Sequence, residues 1–187
     1  MRRLVASTAL SLATVVAFAA PASAAPDKSG TAAPGAPFTW SGTAATGLNV
    51  GYFLIDPVCS HQPQQYCETV LVEFKLPVTN LPPPGPTPQT VQVDGTGRAS
   101  IGSYAPFPLS DFDLVAFASD AAGTKGEELD QSGEAAGDPE QVEVTVSSTA
   151  TVNPDGTVVR NESTWVLLEV VYFAVPQSNY QGTAQVA

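Results

Sequence analysis

The chain has 187 residues, with 18 acidic side chains against 7 basic ones and one histidine, and a formal net charge of −11 at pH 7. Nucleic acid, anionic lipid and anionic wall polymers are disfavoured as partners, because each would be repelled at long range. Cations and basic proteins stay compatible with such a surface, and its simplest use is solubility.

Residues 1–24 read as a secretory signal peptide: Arg2 and Arg3 give the positive start, residues 4–20 the apolar stretch, and Ala22-Ser23-Ala24 the small-residue cleavage site. The stretch falls short of the ~20 residues of a membrane span and contains Ser7, Thr8, Ser11 and Thr14. The next most apolar segment, 165–175, is short and carries Glu169, so no membrane span is expected. Cleavage after Ala24 removes two basic residues and no acidic ones, leaving five against eighteen, a charge of −13 on a part long enough for one domain.

Residues 25–37 (APDKSGTAAPGAP) hold nothing to bury and predict a disordered leader, with a single domain over 38–187. Alternation begins at Phe38-Thr39-Trp40-Ser41, and residues 48–55 form one apolar run. Cys59 and Cys67, in an exported chain, predict a disulfide closing a short loop and contributing ~2–3 kcal/mol. A metal site on Cys59, His61 and Cys67 lacks a fourth ligand at usual spacing. Along 68–76, Val70, Val72, Phe74 and Leu76 share one face; residues 81–88 (LPPPGPTP) cannot join a sheet ladder and predict a surface loop. Val91 with Val93, and Ala99 with Ile101, read as strand pieces separated by a turn at Asp94-Gly95-Thr96-Gly97. Alternation returns over 111–118 and 140–147, with a Gly-rich acidic stretch and a short strand near 128–132 between them. After the Asn153-Pro154-Asp155-Gly156 turn, residues 165–175 are apolar on nearly both faces, the mark of a central strand, and 180–186 close the chain. Eight or nine short strands without a helical stripe predict an all-β fold, an antiparallel β-sandwich.

The succession DFDLVAFASDAAG, a Gly-rich acidic stretch, PEQVEVTV, WVLLEVVYFAV and NYQGTAQV resembles the bacterial pre-peptidase C-terminal domain, better over 111–187 than over 38–110. That resemblance implies a jelly-roll-like sandwich and a non-catalytic module of secreted proteins, some relatives of which bind calcium or collagen. Such modules usually follow a hydrolase, whereas the reading of residues 1–24 as a signal leads us to expect none before this one, and the cysteine and proline loops are additions to the pattern.

Three constellations are candidates for chemistry. Asp111 and Asp113 lie two apart on a strand and, with Asp120 and Asp130, offer oxygens to calcium; the ordinary role of such acids is to cap loop amides and keep a strand edge wet. Glu169, a carboxylate inside an apolar strand, would form a glycosidase pair with Glu73, or else face solvent or pair with Lys75 or Arg98. Tyr66 and Trp40 are candidates for an aromatic binding platform. The only histidine, His61, has no G-x-S-x-G elbow to serve, and H-E-x-x-H and phosphate-loop motifs are missing. The sequence therefore predicts a secreted, extracellular binding module without catalysis or a required cofactor, acting on a protein or a polysaccharide. The alternatives are a calcium-stabilised envelope protein and a small jelly-roll hydrolase using Glu73 and Glu169.

Overall fold

Strands that alternate apolar and polar residues must bury one face, and here two sheets bring their apolar faces together. The computed structural model describes residues 25–44, 47–48, 67–104, 110–175 and 178–187, and among these it is all β. In chain order the strands are β1 (Lys28–Ala32), β2 (Phe38–Ala44), β3 (Gly47–Leu48), β4 (Cys67–Lys75), β5 (Gln89–Tyr104), β6 (Asp111–Ala118), β7 (Glu128–Ser132), β8 (Glu140–Val152), β9 (Val158–Asn161), β10 (Ser163–Val175) and β11 (Ser178–Val186). The first sheet runs β1-β4-β10-β6-β7, with β3 also on β10; the second runs β2-β11-β5-β8-β9. No helix among the described residues is long and apolar enough to cross a membrane.

The core lies between the sheets. Val70, Val72 and Phe74 of β4 and Val166, Leu168 and Val170 of β10 meet Val142, Val144 and Val146 of β8. Strand β10 is central, flanked by β4 and β6. Its second apolar side is explained by a smaller cluster of Leu71, Phe117 and Leu167 on the outer face of the first sheet.

Several expectations are corrected. Residues 25–37 are not a free leader: Lys28–Ala32 adds to β4 as a parallel edge strand, and Gly35, in the left-handed region at φ 73°, turns the chain into β2. The KSGTA segment has no apolar alternation, so its strand is stabilised by docking, with Ala32 fully buried and Asp27 clasping Thr69 through three hydrogen bonds of 2.8–3.1 Å. Asp94-Gly95-Thr96-Gly97 is not a turn but the middle of β5, paired with β8 throughout. Its glycines make room: a Cβ on Gly97 would lie 2.9 Å from Val146 and 3.0 Å from the Phe74 ring. The strand number rises above eight or nine because β1 and the wholly exposed β9 carry no alternation to see. By contrast Asn153–Gly156 does turn, with Gly156 at φ 85°. Of the apolar run 48–55 only Leu48 falls among the described residues, in β3.

Candidate functional site

One end of the sandwich gathers the polar groups that the strands aim inward. There β2 and β5 finish and β4, β6 and β11 begin, as the pairing of Asn179 with both Thr43 and Tyr104 fixes. Parity along β4 puts Glu68 on the same face as Val70 and Val72, so its carboxylate enters the core edge with its side chain only 12 % exposed. The carboxylate accepts hydrogen bonds from the Tyr180 hydroxyl and, at 3.4 Å, from Tyr172, and pairs with Lys28 of β1. Burial pushes the Tyr172 phenol up to about 12 and the Tyr180 phenol upward as well, so both stay protonated donors. Phe112 packs edge-on to Tyr172 at 5.8 Å and against Tyr180 at 5.5 Å. This network holds the two sheets together rather than presenting a reactive group. Glu68 was legible from parity; Lys28, lying in the supposed leader, was not.

The four candidate calcium ligands do not converge. Asp111 and Asp113 do emerge on one face of β6, and Asp113 is half-buried beneath Gly133. Asp120 lies seven residues further along the chain, about 23 Å away if extended, where it accepts N–H bonds from Ala122 and Thr124 at 2.9 and 3.0 Å. Asp130 accepts the Glu143 N–H at 2.7 Å and so ties β7 to β8. Among the described residues no three Asp, Glu, His or Cys side chains are grouped to hold a metal ion. A strand brings residues two apart together and carries more distant ones off, and here Asp120 and Asp130 cap backbone N–H groups instead.

Asp113 is the one of these acids with a functional-looking titration. Burial first, then the negative charges of Asp111 and Glu140, push its carboxyl up to about 6 from an ordinary 3.8. Its folded value is above its unfolded value, so between the two the native state keeps a proton that the unfolded chain has released. Stability therefore falls as pH rises from about 4 to about 6 and stays lower above it, by an amount that solvent screening of this half-exposed group keeps small. Urea midpoints across this range should fall for the wild type and fall less for Asp113→Asn, which should also be more stable at neutral pH; burial of Asp111 leaves a smaller slope in the variant.

Glu169 is buried on the outer face of the first sheet, contrary to the expectation of solvent, Lys75 or Arg98. The segment between β6 and β7 folds back over this face and brings Lys125 to Glu169 at 2.8 Å and over the Phe117 ring at 3.8 Å. Lys75 instead pairs with Glu73 at 3.4 Å, and Arg98 with Glu143 at 2.6 Å. Glu73 stands opposite Trp165 and Glu169 opposite Thr69. Four residues of offset is about 13 Å, beyond the ~5–9.5 Å that glycosidase carboxylates need. Burial would raise the Glu73 carboxyl, but bonds from Ser163 and Thr31 and the nearby Lys75 together hold it below its ordinary value.

Trp40 faces inward at 6 % exposure and stacks on Phe38 at 5.6 Å, so it is a core residue and no platform. Tyr66, His61 and Cys59 lie outside the described residues, and Cys67 is buried at the start of β4.

What sequence reasoning passed over is the outer face of the second sheet. Strict alternation along β8 turns Glu143, Thr145, Ser147, Thr149 and Thr151 outward. Facing positions on β5 are Thr90, Gln92, Asp94, Thr96 and Arg98. The charges here are engaged: Arg98 with Glu143, and Asp94 with Gln92 at 2.9 Å and Ser147 at 2.7 Å. Across β11 and β2 the face continues as hydroxyls and amides and sinks into a trough of about 470 Å³ lined by Ser41, Gly42, Thr43, Asn179, Tyr180 and Gln181. The polar half of each alternating pattern is the signal that would have found it.

No family model matches this chain, and neither does any curated protein.

Proposed function

We propose that the protein is a secreted, non-catalytic binding module that acts outside the cell on a polysaccharide. The observation that supports this reading is the outer face of the five-stranded sheet, where hydroxyl and carboxamide side chains line an open trough and the charged groups are already paired. Such a face offers hydrogen bonds to an extended hydroxyl-bearing chain and no positioned acid, base or nucleophile. The signal-like residues 1–24, a Cys59–Cys67 bridge at the mouth of β4 and the jelly-roll-like connectivity of the pre-peptidase resemblance belong to the same proposal.

The exported protein is tested by depletion from solution with insoluble cellulose, chitin, peptidoglycan and collagen, each with calcium and with EDTA. Selective loss to a polysaccharide, unchanged by EDTA, is expected. Loss to collagen alone would replace the ligand class, and no loss to any polymer would overturn the reading.

A further inference from the structure

Resting on the binding-module reading, we infer that the trough on β2 and β11 is the ligand subsite and that its ligand is an uncharged polysaccharide lying along the strands. Ser41 and Thr43 project from β2 and Asn179 and Gln181 from β11, all four exposed, because the alternate positions Gly42 and Tyr180 face the core. The register fixes these side chains in cross-strand pairs, Thr43 with Asn179 and Ser41 with Gln181. The Thr43 hydroxyl donates to the Asn179 carboxamide oxygen at 2.8 Å, which orients the Asn179 NH₂ toward an acceptor beyond it. Among the described residues neither the Ser41 hydroxyl nor the Gln181 carboxamide is engaged by a side-chain hydrogen bond, so both donors and acceptors face the opening.

Charge decides the class of ligand. Among the described residues the trough lining holds no ionisable side chain other than the Tyr180 phenol, which is turned inward, buried and protonated. The whole chain carries −11. Uronate, sulfate or phosphate polymers would meet repulsion with no basic group to receive them. A cationic polymer would find no carboxylate in the lining. Hydroxyl groups of a neutral glycan match the hydroxyl and amide set on both sides of each hydrogen bond.

Gly102 keeps the neighbouring floor low. It pairs with Gln181 on the other side of β11, and a Cβ there would meet nothing within 4 Å. A side chain at this position has space to stand without disturbing the sheet, and it would stand where the ligand passes.

The test is affinity electrophoresis and calorimetry of the full exported protein with soluble neutral glucan, xylan and mannan, against alginate as the anionic control. Wild type should bind one neutral polymer and ignore alginate. Asn179→Ala and Gln181→Ala should each weaken binding by about 3- to 10-fold, the value of one lost neutral hydrogen bond. Gly102→Phe should abolish binding with a melting temperature no lower than wild type, and Gln131→Ala, an exposed carboxamide on β7 of the other sheet, should bind as wild type. Neutral-glycan binding untouched by the three trough variants would overturn the subsite and leave the binding-module reading standing. Binding to alginate alone would overturn the ligand class, and binding to no polymer here or in the depletion assay would overturn both.

Discussion

Gly182→Ala should lower unfolding stability by about 3 kcal/mol, the upper part of the range for overpacking a core. Gly182 of β11 lies opposite Trp40 of β2, and a Cβ there would be driven into the indole ring. The next inward pair reverses the arrangement, with Gly42 of β2 beneath the Tyr180 ring of β11. Large aromatic rings thus fill the space that cross-strand glycines leave, and each ring is pinned by its neighbours, Trp40 by Phe38 and Tyr180 by Phe112. The indole is buried, so any retreat must displace other core atoms. Trp40→Leu would open a cavity by itself, yet in the double variant the new methyl takes part of that space. The two losses should fall short of additivity by about 1 kcal/mol or more in a double-mutant cycle. Gly102→Ala is the internal control. It is the same substitution in the same sheet, into open space, and it should be neutral or stabilising by up to about 1 kcal/mol. Equal costs at positions 182 and 102 in urea titrations would show that glycine is needed there for backbone reasons and not for the ring.

Lys125→Met should cost about 2–4 kcal/mol and should do so even in ~1 M salt. The substitution keeps an apolar stem over Phe117 while removing the charge that faces Glu169, whose side chain is 3 % exposed. A buried carboxylate that loses a charged partner loses part of what offsets its desolvation. The Lys125 side chain is itself 29 % exposed, which sets the expected value below that of fully enclosed pairs. Lys125→Met combined with Glu169→Leu should regain most of the loss, since an apolar pair suits a face already carrying Leu71 and Leu167. Arg98–Glu143 gives the contrast. Both side chains are nearly half exposed, so Arg98→Met should cost no more than about 1 kcal/mol and lose even that in salt. A salt-sensitive Lys125→Met, or a double variant no better than the single, would mean that the segment over the sheet is loosely held.

Much of this fold is written in period-two alternation. The inward sets of β4, β6 and β8 read directly from Val70-Val72-Phe74, Phe112-Leu114-Ala116 and Val142-Val144-Val146, and 165–175 announces a central strand by being apolar on both sides. The same parity marks Glu68 as inward and the threonines of β8 as outward. Alternation is a local property, which each strand displays whatever its neighbours are.

Partners across the sheet are not local, and every correction falls there. KSGTA becomes a strand because β4 offers it an edge, Ala32 a burial site and Glu68 a counter-charge for Lys28. Asp94–Gly97 has turn composition, yet continuous pairing with β8 and the need for space beneath Phe74 outweigh it. Glu169 acquires Lys125 from 44 residues away because a loop folds across the sheet, and Asp130 meets the Glu143 N–H rather than a metal with Asp111. Trp40 goes inward by its parity, and only the register tells that Gly182 is the residue making room for it. Thus the sequence by itself determined the all-β class, the in-and-out face of each strand and the acidic surface, because side-chain alternation and charge belong to the chain alone. Tertiary structure decided which strands pair, which carboxylates are buried with which cations, and where the polar trough opens, because those depend on the register between segments that the chain order leaves free.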